Sequence, residues 1–189
     1  MRLLLLLILL NSWPGFILAQ KDSLKTYVRI ISVSPKDSVL PVSESIKKQL
    51  TRLLKQEDFQ KKDLRLTLNL KNQKEGLLTV RWLALRQKKD ILYVDLSAYI
   101  STYIGETEKN LDQLFQKASE GNMILLFDEA DALFGKRAGS SETDNQNREK
   151  TTILLIKKME SYKGSILLIC KADGCSFLPA RLNFTRISG

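Results

Sequence analysis

An α/β fold, a three-layer αβα sandwich around a mainly parallel sheet, is predicted for this chain by three observations. Short apolar runs recur at Ile91–Leu96, Met123–Phe127 and Ser165–Cys170. They are nearly continuous rather than alternating, as expected of strands covered on both faces. Helical stripes separate them: Leu111, Leu114, Phe115 and Ala118, then Thr152, Leu155, Ile156 and Met159. Strands alternating with amphipathic helices imply a parallel sheet with helices on both sides. Finally, Met123–Phe127 runs directly into Asp128-Glu129. Open α/β sheets bind ligands outside the carboxyl ends of their strands, so this carboxylate pair stands where a ligand would be met.

The remaining elements follow in order. Tyr27–Val33 suits a strand within a leader rich in Ser, Lys and Asp and marked by Pro35 and Pro41. Ser43 can cap a helix whose apolar positions Ile46, Leu50, Leu53 and Leu54 share one face, with Lys47, Lys48, Arg52 and Lys55 on the wet face. Leu64, Leu66, Leu68 and Leu70 alternate with polar residues, a period-two strand. Residues 71–76 form a polar turn. Beyond it, Leu78, Trp82 and Leu85 fit a helix while Leu78, Val80 and Trp82 fit a strand, so 71–88 reads equally as loop–helix or as hairpin. Gly139–Arg148 is polar enough to be a loop, and Gly164 ends the last helix.

Composition bounds the function. The 189 residues carry 43% hydrophobic and 27% charged side chains, a globular balance, with net charge +9 and no histidine. Imidazole catalysis and histidine metal ligation are therefore excluded. The basic residues form small scattered clusters without interleaved aromatics, so a solvated basic surface is expected and nucleic-acid binding is not. Arg2, the apolar run Leu3–Leu10, the helix-breaking Trp13-Pro14-Gly15 and the small Ala19 form a secretory signal pattern, with cleavage expected after Ala19 or Gln20. That run is far shorter than the ~18 residues a membrane span requires, and an exported mature chain without a span is expected. Cys170 and Cys175 are the only cysteines. Cys170 suits a buried core position; a disulfide between them is compatible with export, and sequence leaves the pairing open.

The run Asp128-Glu129-Ala130-Asp131-Ala132-Leu133-Phe134-Gly135-Lys136-Arg137, with Tyr103-Ile104-Gly105-Glu106 upstream, resembles the AAA (AAA+) ATPase core over roughly residues 90–170. The resemblance implies a P-loop NTPase architecture, ATP and Mg²⁺ as cofactors, and a ring of subunits. It casts Met123–Glu129 as the Walker B strand, with Asp128 at the metal and Glu129 activating water. Tyr103, Ile104 and Gly105 would be the pore loop that grips a polypeptide, and Arg181 the arginine offered to a neighbouring subunit. Lys171, with Cys170, stands where the family has a polar sensor pair. No GxxxxGK[ST] phosphate loop occurs anywhere in the chain. A gapless count back from Asp95 sets it on residues 70–77, with Glu75 facing phosphate, Gly76 in place of the lysine and Leu77 in place of the metal-binding hydroxyl. Lys71 or Lys74 could substitute only as point charges.

The expected organisation is a signal peptide over 1–19, a leader and amphipathic helix over 20–63, and an AAA-core-like domain over 64–189 that ends ahead of the family's helical lid. Three functions remain open. They are an AAA-type ATPase, an exported pseudo-ATPase acting as a binding or scaffolding module, and a decayed fragment without selected function. Asn183-Phe184-Thr185 also matches a glycosylation sequon, and chance suffices to explain it.

Overall fold

Six strands form one sheet in the computed structural model of this protein, which describes residues 27–55, 63–102, 107–134, 142–171, 175 and 178–189. The strands are β1 (Val28–Ile31), β2 (Arg65–Leu70), β3 (Ile91–Asp95), β4 (Ile124–Asp128), β5 (Ile166–Lys171) and β6 (Thr185–Ser188). Their spatial order is β1-β3-β4-β5-β2-β6. All neighbours pair in parallel except β1, which lies antiparallel on β3. Helices α1 (Glu44–Lys55), α2 (Gln73–Gln87), α3 (Leu96–Thr102), α4 (Thr107–Glu120), α5 (Asp131–Phe134) and α6 (Glu142–Ser161) complete the sandwich.

The period of two along each strand divides the interior into two cores. Leu92, Val94, Leu125, Phe127, Ile166 and Leu168 face one side and pack with Leu111, Leu114 and Phe115 of α4 and Leu155 and Met159 of α6. Ile91, Tyr93, Ile124, Leu126, Leu167 and Ile169 face the other, against Ile46 and Leu50 of α1 and Val80 and Leu83 of α2. Burial on both faces explains why these runs do not alternate in polarity. The αβα sandwich with β4 near its centre is as the apolar runs predict. Among the described residues, no helix is long and apolar enough to cross a membrane.

The structure resolves the choice at 71–88 in favour of a helix. Asn72 caps it by accepting a hydrogen bond from the Glu75 amide (2.9 Å), and Lys88 ends it in a left-handed conformation. One expectation is corrected: Gly139–Arg148 is not a loop throughout, because α6 already begins at Glu142. Asn145 and Gln146 are exposed, and Arg148 donates to the Ala132 carbonyl (2.9 Å). Between residues 27 and 55 the strand and the amphipathic helix expected from the sequence both form. β1 extends the sheet, α1 enters the second core, and buried Asp37 ties the 3₁₀ turn Pro35–Val39 to Arg81 of α2 (2.8 Å). Cys170 and Cys175 are joined by a disulfide, with Cα atoms 5.9 Å apart. The signal segment 1–19 and the pore-loop residues Tyr103, Ile104 and Gly105 lie outside the described residues.

Candidate functional site

A cleft of about 440 Å³ opens at the carboxyl edge of the sheet, between the ends of β2, β4 and β5. Leu70, Lys71, Asn72 and Gln73 form one wall, Asp128, Glu129 and Asp131 the second, and Ile169–Lys171 the third. This is the switch point of the sheet, where β4 and β5 continue one way and the earlier strand β2 lies on the other side.

Asp128 is the last residue of β4 and only 1% exposed, so its charge must be held by donors. Three hold it. The Gln73 amide donates to Oδ2 (2.7 Å), the Tyr93 hydroxyl donates to the same oxygen (2.8 Å), and the Glu129 backbone N–H donates to Oδ1 (2.9 Å). Tyr93 arrives from β3, where it pairs in register with Leu126, so its ring reaches along the sheet to the end of β4. Burial first, and then the bond to Asp128, push the Tyr93 phenol well above its ordinary value.

Glu129 leaves the strand in the left-handed region (φ 53°), a conformation that costs a non-glycine residue roughly 1–2 kcal/mol. The turn is secured by the Ala130 N–H on the Ile169 carbonyl (3.0 Å). It sets the Glu129 carboxylate against Lys171 Nζ (2.5 Å), while the Lys171 amide donates to Asp131 Oδ1 (3.2 Å). The bond to Glu129 raises the Lys171 ammonium above its usual value.

The structure thus gathers Asp128, Glu129, Lys171 and Lys71 at one cleft. Lys74 is exposed on the first turn of α2 and is not part of the cleft wall. Arg181 sits at the opposite edge of the sheet, ion-paired with Glu160 beside the start of β2. The gapless placement of a phosphate loop on 70–77 is corrected as well. Only Lys71 and Asn72 connect β2 to α2, and residues 73–77 already form helix. Gly76 lies inside that helix, where an added Cβ would stand 3.0 Å from two Ile169 side-chain atoms. It is a packing glycine that lets α2 approach β5. Leu77 packs against the second core. Sequence reasoning missed Gln73 and Tyr93. A tyrosine within a buried parallel strand was the available signal, since its hydroxyl must find a partner.

A parallel sheet in this order, with a carboxylate pair at its switch point, defines the core of a P-loop-type α/β protein. The family model described as "ATPase family associated with various cellular activities (AAA)" matches residues 78–188, more than half of the chain. The chain belongs to the AAA family. It is 34% identical over 80 residues to an uncharacterized AAA family ATPase, y4kL, of Sinorhizobium fredii, covering 42% of this chain and 24% of that one. It is 33% identical over 113 residues to ATPase family gene 2 protein of Saccharomyces cerevisiae, covering 56% and 14%. With the ATP-dependent zinc metalloprotease FtsH 3 of Phytoplasma mali it shares 29% over 89 residues, covering 46% and 15%. The chain spans a quarter or less of the length of these curated relatives.

Proposed function

We propose that this AAA core has little or no nucleotide chemistry and serves, once exported, as a binding module. The observation that carries the reading is that both strand-end carboxylates are already engaged. Asp128 accepts from Gln73, Tyr93 and its own chain, and Glu129 is paired with Lys171. ATP with Mg²⁺ would need a backbone cradle, a phosphate lysine, and a free carboxylate on the metal shell. The two-residue connection Lys71–Asn72 provides no cradle, and the Glu75 N–H at the start of α2 is taken by Asn72. These residues do not fit the nucleotide's phosphates. Each missing charge-assisted contact is worth about 1.5–3 kcal/mol, so two or three convert a micromolar site to a millimolar one.

Export through residues 1–19 and the polypeptide-gripping role of Tyr103, Ile104 and Gly105 belong to the same proposal. So does association with itself or other AAA subunits. Calorimetry of Mg·ATP on the chain from Gln20 onward tests the central point. Binding weaker than millimolar and no turnover are expected, with Glu129→Gln changing nothing measurable. Steady-state hydrolysis that disappears in Glu129→Gln would overturn the reading and assign phosphate binding to Lys71 or Lys74.

A further inference from the structure

We propose that Asn183 is an N-glycosylation site, so that the exported chain carries an oligosaccharide on the sheet edge opposite the Asp128–Glu129 cleft. The proposal rests on the export reading above. Asn183-Phe184-Thr185 is the one Asn-x-Ser/Thr triplet in the sequence, and a sequon serves only where the folded chain leaves room for a sugar.

The local structure leaves that room. The 3₁₀ turn Ala180–Leu182 ends at Asn183, whose backbone takes the left-handed conformation (φ 53°, ψ 40°) and donates to the Ala180 carbonyl (3.0 Å). Asparagine tolerates that conformation better than most residues. Asn183 is exposed, while the neighbouring Phe184 is partly buried and packs against the first core. The aromatic residue therefore anchors the triplet and leaves Asn183 outside, with Thr185 half-buried at the start of β6. Among the described residues, neither the Asn183 amide nor the Thr185 hydroxyl makes a side-chain hydrogen bond, so a sugar there displaces no internal contact. Asn183 and Thr185 border an open cleft of about 550 Å³ together with Arg65, Glu160 and Arg181. Thr185 opens β6, which is an outer strand of the sheet.

The Cys170–Cys175 disulfide is compatible with this setting. Such bonds persist in oxidising compartments, and the secretory lumen where sugars are transferred to asparagine is one of these. The co-reactant is a polyisoprenyl-pyrophosphate oligosaccharide. Asn183 Nδ2 bonds to the anomeric carbon, the carbon–oxygen bond to pyrophosphate breaks, the lipid pyrophosphate departs, and the amide proton passes to the transferase.

Cell-free translation of the full chain with endoplasmic-reticulum vesicles tests this with two separate readouts, protease protection for entry and glycosidase sensitivity for the sugar. The expected result is a protected chain with one discrete mass step. Asparagine-specific glycosidase should remove the step and leave aspartate at position 183. Asn183→Gln and Thr185→Ala should abolish the step without affecting protection, and Thr185→Ser should retain it. A protected chain lacking the step overturns the sugar alone. A chain left outside the vesicles overturns the export reading and the sugar together.

Discussion

Tyr93 is the residue on which the charge of Asp128 most visibly depends. It is one of two side chains on Asp128 Oδ2, and both it and the carboxylate are buried. Tyr93→Phe keeps the ring and removes the donor, leaving Asp128 short of a bond it cannot recover from water. The expected loss is about 1–3 kcal/mol of unfolding free energy, read as a lower urea midpoint. The pH response has a definite sign. The folded-state phenol is raised above its ordinary value of 10.0, so the folded chain retains a proton that the unfolded chain releases. That contribution is complete below pH 10 and is lost as pH rises above it toward the folded value. Wild type should therefore lose stability in that alkaline range more steeply than Tyr93→Phe, and equal slopes would rule the coupling out. At this scale the sequence was half legible. Asp128 and Glu129 stood out as acids ending an apolar run, whereas Gln73 gains its role only when the ends of β2 and β4 are brought together.

Helix α2 shows what element-level patterning could and could not say. Its apolar residues satisfy both a helical stripe and a strand alternation, and only packing separates the two. Gly76 is part of that packing, buried on the face of α2 that meets Ile169 of β5. Gly76→Ala should gain up to about 1 kcal/mol from helix propensity. It must also place a methyl group 3.0 Å from a branched side chain that is 5% exposed. Overpacking of this kind costs about 1–3 kcal/mol, so a net loss of roughly 1 kcal/mol is expected. Pairing it with Ile169→Val should return part of that loss, and thermal denaturation of the single and double variants would show the non-additivity. The start of α6 failed for the opposite reason. Polar residues early in a helix resemble a loop when only composition is considered.

For the whole molecule, β1 takes the edge position and so shields the apolar strand β3, with the Pro35–Val39 turn beside it. Antiparallel pairing with Val28–Ile31 covers β3, and the Asp37–Arg81 ion pair fastens the turn to α2. Removing residues 27–40 should expose the unpaired groups of β3 and promote self-association, visible as a concentration-dependent shift in sedimentation velocity. A truncated chain that stays monomeric at all concentrations would refute that role. The parallel body of the sheet was readable from its apolar runs and β1 from the stretch Tyr27–Val33, but the antiparallel pairing of β1 on β3 was not, because four residues of mixed exposure carry little periodicity. The direction of β1 has one more consequence. An antiparallel first strand begins where its parallel neighbours finish: Tyr27 accepts from the Asp95 amide at the end of β3, and Gly189 donates to Asn69 near the end of β2. Entry and exit of the described core therefore share one rim, and a tether or dye attached at either side starts there. A label at Tyr27 or Gly189 would sit at the Asp128 rim, with Asn183 roughly 15–20 Å away across the length of the strands.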